Sequence, residues 1–169
     1  MKAIIRVIDS ISEYTGKVAS WVCLLVILVL VYEVTARYAF NSPSIWAHQL
    51  SMILGLTIIA LGWAYTHRHH GHVRVDIIYT YLSPRGKAII DVVFTLLFLF
   101  PLLILITISA ADWMMSSWSG GEVLTASVWY PPAGPIRTIM FLGLLLFILQ
   151  GVAGFVRDSY LLIRNKPYD

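Results

Sequence analysis

Charged residues cut the chain into long apolar runs. Fifteen uncharged residues separate Lys17 from Glu33, 29 separate Arg37 from His67 if His48 is allowed, 20 separate Asp91 from Asp112, and 19 separate Arg137 from Arg157. A helix rises 1.5 Å per residue, so about 20 residues cross a 30 Å hydrocarbon core. The pattern predicts an all-α integral membrane protein, a single membrane domain over 1–169. Four transmembrane helices are expected near 16–36, 46–66, 88–111 and 136–156.

The segments between the spans carry other periods. Over 1–15 and on to Lys17, Ile4, Val7, Ile8, Ile11 and Tyr14 cluster on one side of a helical wheel, opposite Lys2, Arg6, Asp9, Glu13 and Lys17. This predicts an amphipathic helix lying in the membrane interface. In the 67–87 loop, Asp76 is placed to cap a short interfacial helix through Leu82, and Ser83-Pro84 to open the third span. The 112–135 segment, with Trp113, Trp118, Trp129, a Ser-Gly-Gly turn and a Pro-Pro-Ala-Gly-Pro end, reads as an ordered outer loop. Pro101 predicts an irregularity in span three.

Orientation follows from the basic residues. Of the twelve Lys and Arg side chains, only Arg37 and Arg137 fall on the side opposite the N-terminal segment, the 67–87 loop and the tail. The positive-inside rule then puts both termini and that loop in the cytoplasm, and the 112–135 loop in the periplasm of a bacterial cell inner membrane crossed by a multi-pass protein. The first span, with Asp9 and Glu13 ahead of it, is read as an uncleaved anchor and not as a signal peptide ending at Val34-Thr35-Ala36.

Composition narrows the function. Apolar residues make up 59% of the chain and charged residues 12%, with a mean hydropathy of +0.79, which excludes a soluble enzyme of this size. Basic residues punctuate the spans instead of forming one patch, so no nucleic acid partner is expected; membrane lipids are. The lone Cys23 supports neither a disulfide framework nor a thiolate metal site. His67, His69, His70 and His72 form a histidine-rich tract. It lies in an interfacial turn without a partnering cysteine, and is read as a solvated turn, not a metal site. No catalytic residue, cofactor or metal is assigned.

Ionisable groups are sparse within the spans. Glu33 precedes Arg37 by four residues, a spacing that allows a helical ion pair at the outer interface. A haem anchor would need histidines deep in facing helices, and a pump would need acidic groups at the midplane. Span two carries Ala47, Ser51 and Gly55 four residues apart, a stripe that admits a close neighbouring helix, and Gly151 and Gly154 thin span four.

Two motifs make the pattern specific. Arg37-Tyr38-Ala39-Phe40-Asn41, then Pro43 and Trp46 opening span two, resembles the small membrane subunit of tripartite ATP-independent periplasmic (TRAP) transporters, the DctQ family. Gly71-His72-Val73-Arg74-Val75-Asp76 with Tyr79 and Leu82-Ser83-Pro84-Arg85 is similar to that family's second motif, and Gln150-Gly151 also fits. The resemblance covers roughly residues 10–157. It marks Arg37, Tyr38, Phe40, Asn41, His72, Arg74 and Asp76 as motif residues, and Trp46 and Gln150 as structural or interface candidates beside Ala47, Ser51 and Gly55. The family's acidic pair after the tryptophan is absent: Ala47-His48-Gln49 follows Trp46, so no carboxylate role carries over there.

The resemblance implies a job. Such a subunit braces the fixed scaffold of a large multi-span permease. That permease couples the sodium gradient to uptake of an organic acid, delivered by a periplasmic substrate-binding protein. The second motif points to dicarboxylates or 2-oxo and hydroxy acids. The competing reading is a membrane anchor of a redox or quinone-linked complex.

Overall fold

The computed structural model describes residues 2–69, 71, 81–126, 128–164, 166 and 168. Its helices are α1 (Lys2–Ala39), α2 (Ala47–Arg68), α3 (Pro84–Phe94), α4 (Phe100–Gly120) and α5 (Ala133–Arg164), with a π-helical turn, Thr95–Leu99, joining α3 to α4. Four helical rods are long and apolar enough to cross a membrane: α1, α2, the joined Arg85–Gly120 stretch, and α5. The protein is all-α; the one strand-like feature among the described residues is an isolated bridge between Val123 and Pro132. Of the sequence expectations, the Asp76–Leu82 helix as far as residue 80, His70, and the motif residues His72, Arg74 and Asp76 lie outside the described residues.

α1 carries both the amphipathic segment and the first apolar run. Residues 2–39 form one helix of 38 residues, with no break between the amphipathic segment and the span. At 1.5 Å per residue this rod is about 57 Å long, roughly twice the hydrocarbon thickness. Its inward face is also not the one a water-facing helix would turn inward. Ile5, Ser12 and Ala19, seven residues apart, are buried, whereas Ile4, Val7, Ile11 and Tyr14 are exposed. In a membrane the apolar stripe can face lipid, which leaves the face of Ile5, Ser12 and Ala19, with Asp9 and Glu13 beside it, to make the helix–helix contacts.

Close approaches hold the rods together. A Cβ on Gly143 of α5 would lie 2.5 Å from the Ala60 carbonyl oxygen of α2, so these two backbones nearly touch. On the other side of α2, a Cβ on Gly16 of α1 would meet the Tyr65 ring at 2.3 Å. Trp63 stacks on Phe147 with ring centroids 6.4 Å apart.

Local chemistry explains the ends and the irregularity. Ser83 caps α3, its hydroxyl accepting from the Gly86 amide at 3.2 Å, with Pro84 in the first turn. Pro101 has no N–H to give the preceding turn. The helix widens just ahead of it, the Phe100 amide donating to the Thr95 carbonyl five residues back. Gly121, left-handed at φ 59, closes α4.

Candidate functional site

Two polar clusters tie the rods, one at each end of the bundle. At the end holding the α1–α2 linker, Glu33 is buried and accepts from four donors. Arg37 Nε and Nη2 reach Oε1 at 3.1 and 2.5 Å, while the Ser44 amide (3.1 Å) and hydroxyl reach Oε2. Ser44 Oγ in turn accepts from the Ala47 amide at 3.2 Å, capping α2. Asn41 turns the chain, with φ 50, and the Ser42 amide donates to the Ala36 carbonyl at 2.9 Å. Asparagine tolerates this left-handed conformation better than most residues. Trp46 stacks on Tyr32 with centroids 5.4 Å apart. The Arg-Tyr-x-Phe-Asn motif thus supplies a linker clamp through Arg37 and Asn41, whereas Tyr38 and Phe40 are exposed.

At the same end, Arg137 of α5 clamps the segment joining α4 to α5. Its guanidinium lies 4.0 Å over the Trp113 ring, pairs with Glu122, and donates to Ser117 Oγ. Trp118 covers Gly134 and donates to Thr138 Oγ1 at 2.9 Å.

The opposite end holds the largest polar hub. Gln150, fully buried on α5, accepts from Ser12 Oγ at 2.8 Å and donates to Asp9 Oδ1 at 3.1 Å. Arg157 pairs with Asp9 Oδ2. Arg68 at the end of α2 donates to the Asp9 carbonyl at 2.5 Å and to Glu13 Oε2 at 3.0 Å, where His69 Nε2 also comes within 3.2 Å. Three helices therefore share one network of side chains. In a low-dielectric setting each bond in such a network is strong and each orphaned group costly.

On the polar face of α1 it is Asp9 and Glu13 that turn to the bundle's own side chains. Gln150 is legible in the sequence as a candidate; its partners Asp9 and Ser12, and the Arg68 and Arg157 that hold Asp9, are not. One signal was available. A glutamine within a 19-residue uncharged run needs partners, since an unpaired amide in hydrocarbon is costly.

The interface candidates separate. Ala47 is fully buried inside the chain's own bundle, so it offers nothing to another subunit. At Gly55 an added Cβ would find no atom within 4 Å, and the same holds at Gly62, seven residues on. Ser51 is partly buried. The open part of the stripe therefore runs from Ser51 through Gly55 to Gly62. Gly151 and Gly154 sit in ordinary contact with Phe100 and His67.

The family model described as tripartite ATP-independent periplasmic transporters, DctQ component, matches residues 26–160. The chain belongs to this family. As a DctQ component it is a small permease subunit of a TRAP transporter, a family that works in a tripartite system beside a large permease and a substrate-binding protein. No curated protein matches it. The matched stretch includes the linker clamp, the α4–α5 connection, Gln150 and Arg157, whereas Asp9 and Ser12 lie ahead of it.

Proposed function

We propose that this DctQ-family chain is a non-catalytic brace for the scaffold of its large permease. The complete transporter is a sodium-driven importer of organic acids, with dicarboxylates and 2-oxo or hydroxy acids the substrate class its second motif suggests. It sits in the bacterial inner membrane with both termini cytoplasmic, so that the Gln150 hub faces the cytoplasm and the Arg137 clamp the periplasm. The observation that carries the bracing role is the placement of charge. The ion pairs seen among the described residues lie at the two ends of the bundle, and the contacts between them, Gly143 on Ala60 and Trp63 on Phe147, are uncharged. A substrate or ion pathway uses ionisable groups or broken helices near the midplane. Reconstituted alone in liposomes under a sodium gradient, the chain should take up no organic acid. Uptake should appear when the large permease and the binding protein are added. Accumulation above background by this chain alone would refute the brace.

The open side of α2 is the proposed seat of the large permease. In lipid, association rests on close packing, and Ser51, Gly55 and Gly62 let a second backbone approach. Gly55→Leu should weaken the pair about tenfold, from an overpacking cost of about 1–2 kcal/mol, and the large permease should be lost on co-purification. Leu56→Ala is the control. Wild-type recovery of Gly55→Leu would place the contact on another helix.

A further inference from the structure

The chain has two glutamines, both buried, and they are treated differently. Gln150 is held by Ser12 and Asp9. Gln49, in the first turn of α2, is 4% exposed, yet its Oε1 has no hydrogen-bond partner. Its Nε2 donates to nothing among the described residues either. Beside it, between α2 and α5, lies a cavity of about 190 Å³, with Gln49, Met52 and Ile53 on one wall and Ile136, Arg137 and Met140 on the other. Arg137 brings a second unpaired group. Its Nε is buried without an acceptor, although the same guanidinium holds Glu122 and Ser117. One cavity therefore joins an acceptor and a donor that the chain itself leaves unsatisfied. Such groups are costly in a membrane, where hydrocarbon supplies no partner.

The chemistry of the two groups selects what pairs with them. Glu122 already balances the Arg137 charge, so the complement is neutral. It must donate to Gln49 Oε1 and accept from Arg137 Nε, which a hydroxyl or a carboxamide does. A phosphate or carboxylate only accepts and would set another oxygen against Oε1. An ammonium only donates and would leave Arg137 Nε unpaired. The terminal amide torsion of Gln49 is soft, so either of its polar atoms can turn to the cavity. The volume, roughly that of six liquid waters, admits one side chain but not a helix about 10 Å across. We propose that a Ser, Thr, Asn or Gln side chain of the large permease enters this cavity and pairs with Gln49 and Arg137. The proposal rests on the α2 seat given above and assigns that seat its polar contact. Met52, 54% exposed at the cavity, lies three residues before Gly55, so the cavity and the open stripe adjoin on α2. Side chains that hydrogen-bond across helices are a source of specific association in lipid.

The test is Gln49→Met, which keeps the side-chain length and removes both polar atoms. In the purified chain alone it should raise melting by about 2–4 °C, because an unpaired amide is no longer buried. Titrated against the large permease in one fixed detergent, the same variant should bind about three- to tenfold more weakly. Gly55→Leu, measured beside it, separates the two readings. If Gly55→Leu loses the permease while Gln49→Met binds as the unaltered chain does, the seat stands and the inserted side chain is overturned. Unaltered binding by both variants overturns seat and side chain together. Lower melting of Gln49→Met alone also overturns the proposal, since the amide would then have its partner within the chain. A photocrosslinking residue at position 52 should attach to the large permease. Adducts with lipid alone would make the cavity a lipid site and overturn the proposal.

Discussion

Gly143→Ala should lower the melting temperature of the purified chain by of order 10 °C. The new methyl would lie 2.5 Å from the Ala60 carbonyl oxygen and 2.9 Å from its carbon. The obstacle is backbone, so no side-chain rotation relieves it and α2 and α5 must move apart. Overpacking costs about 1–3 kcal/mol in well-packed interiors, and a backbone obstacle belongs at the upper end. For a chain of this size 1 kcal/mol shifts melting by about 2–4 °C. Gly62→Ala is the matched control. It sits on the same helix as Ala60, meets no atom within 4 Å, and gains the helix propensity that alanine has over glycine. Melting should hold or rise slightly there. Equal melting for Gly143→Ala and the unaltered chain would mean that the two backbones are not in contact.

Asp9→Leu should have the second large effect. It leaves Arg157 without its carboxylate, Gln150 Nε2 without its acceptor, and Arg68 with Glu13 and the residue-9 carbonyl. Removing one partner of a buried pair costs about 3–5 kcal/mol. The Arg157 side chain keeps 32% of its exposure, so water screens part of the loss, and about 2–3 kcal/mol is expected. Pairing the change with Arg157→Met should recover much of the stability, because no charge is then stranded. Unfolding of the single and double variants, followed by circular dichroism in detergent, measures both. If the double variant is as unstable as the sum of its two single changes, Asp9 and Arg157 act separately and the hub is not one network.

This hub also separates this chain's organisation from that of a soluble four-helix protein. There, Ile4, Val7, Ile11 and Tyr14 would turn inward and Asp9 and Glu13 outward. Here Ser12, Asp9 and Gln150 form the interior contact, because lipid covers apolar side chains as well as protein does, whereas polar groups find partners only within the bundle.

What the amino-acid order determined by itself is whatever depends on length, apolarity and near neighbours. The four apolar runs required four membrane-crossing helices, since backbone polar groups in hydrocarbon must be paired within a helix. The four-residue spacing of Glu33 and Arg37 allowed their ion pair, Ser83-Pro84 the start of α3, and Pro101 a helical irregularity. The tertiary structure decided which face of each helix turns inward. It joined the amphipathic segment to the first span in one rod and buried Ala47 while leaving Gly55 and Gly62 open. It also brought Asp9 and Ser12 to Gln150, more than 130 residues away in the chain. The reason is physical. Helical period fixes which residues share a face, but in a membrane both an apolar and a polar face have a favourable place to go. Only the neighbouring helices, through contacts as close as Gly143 on Ala60, settle which face they receive.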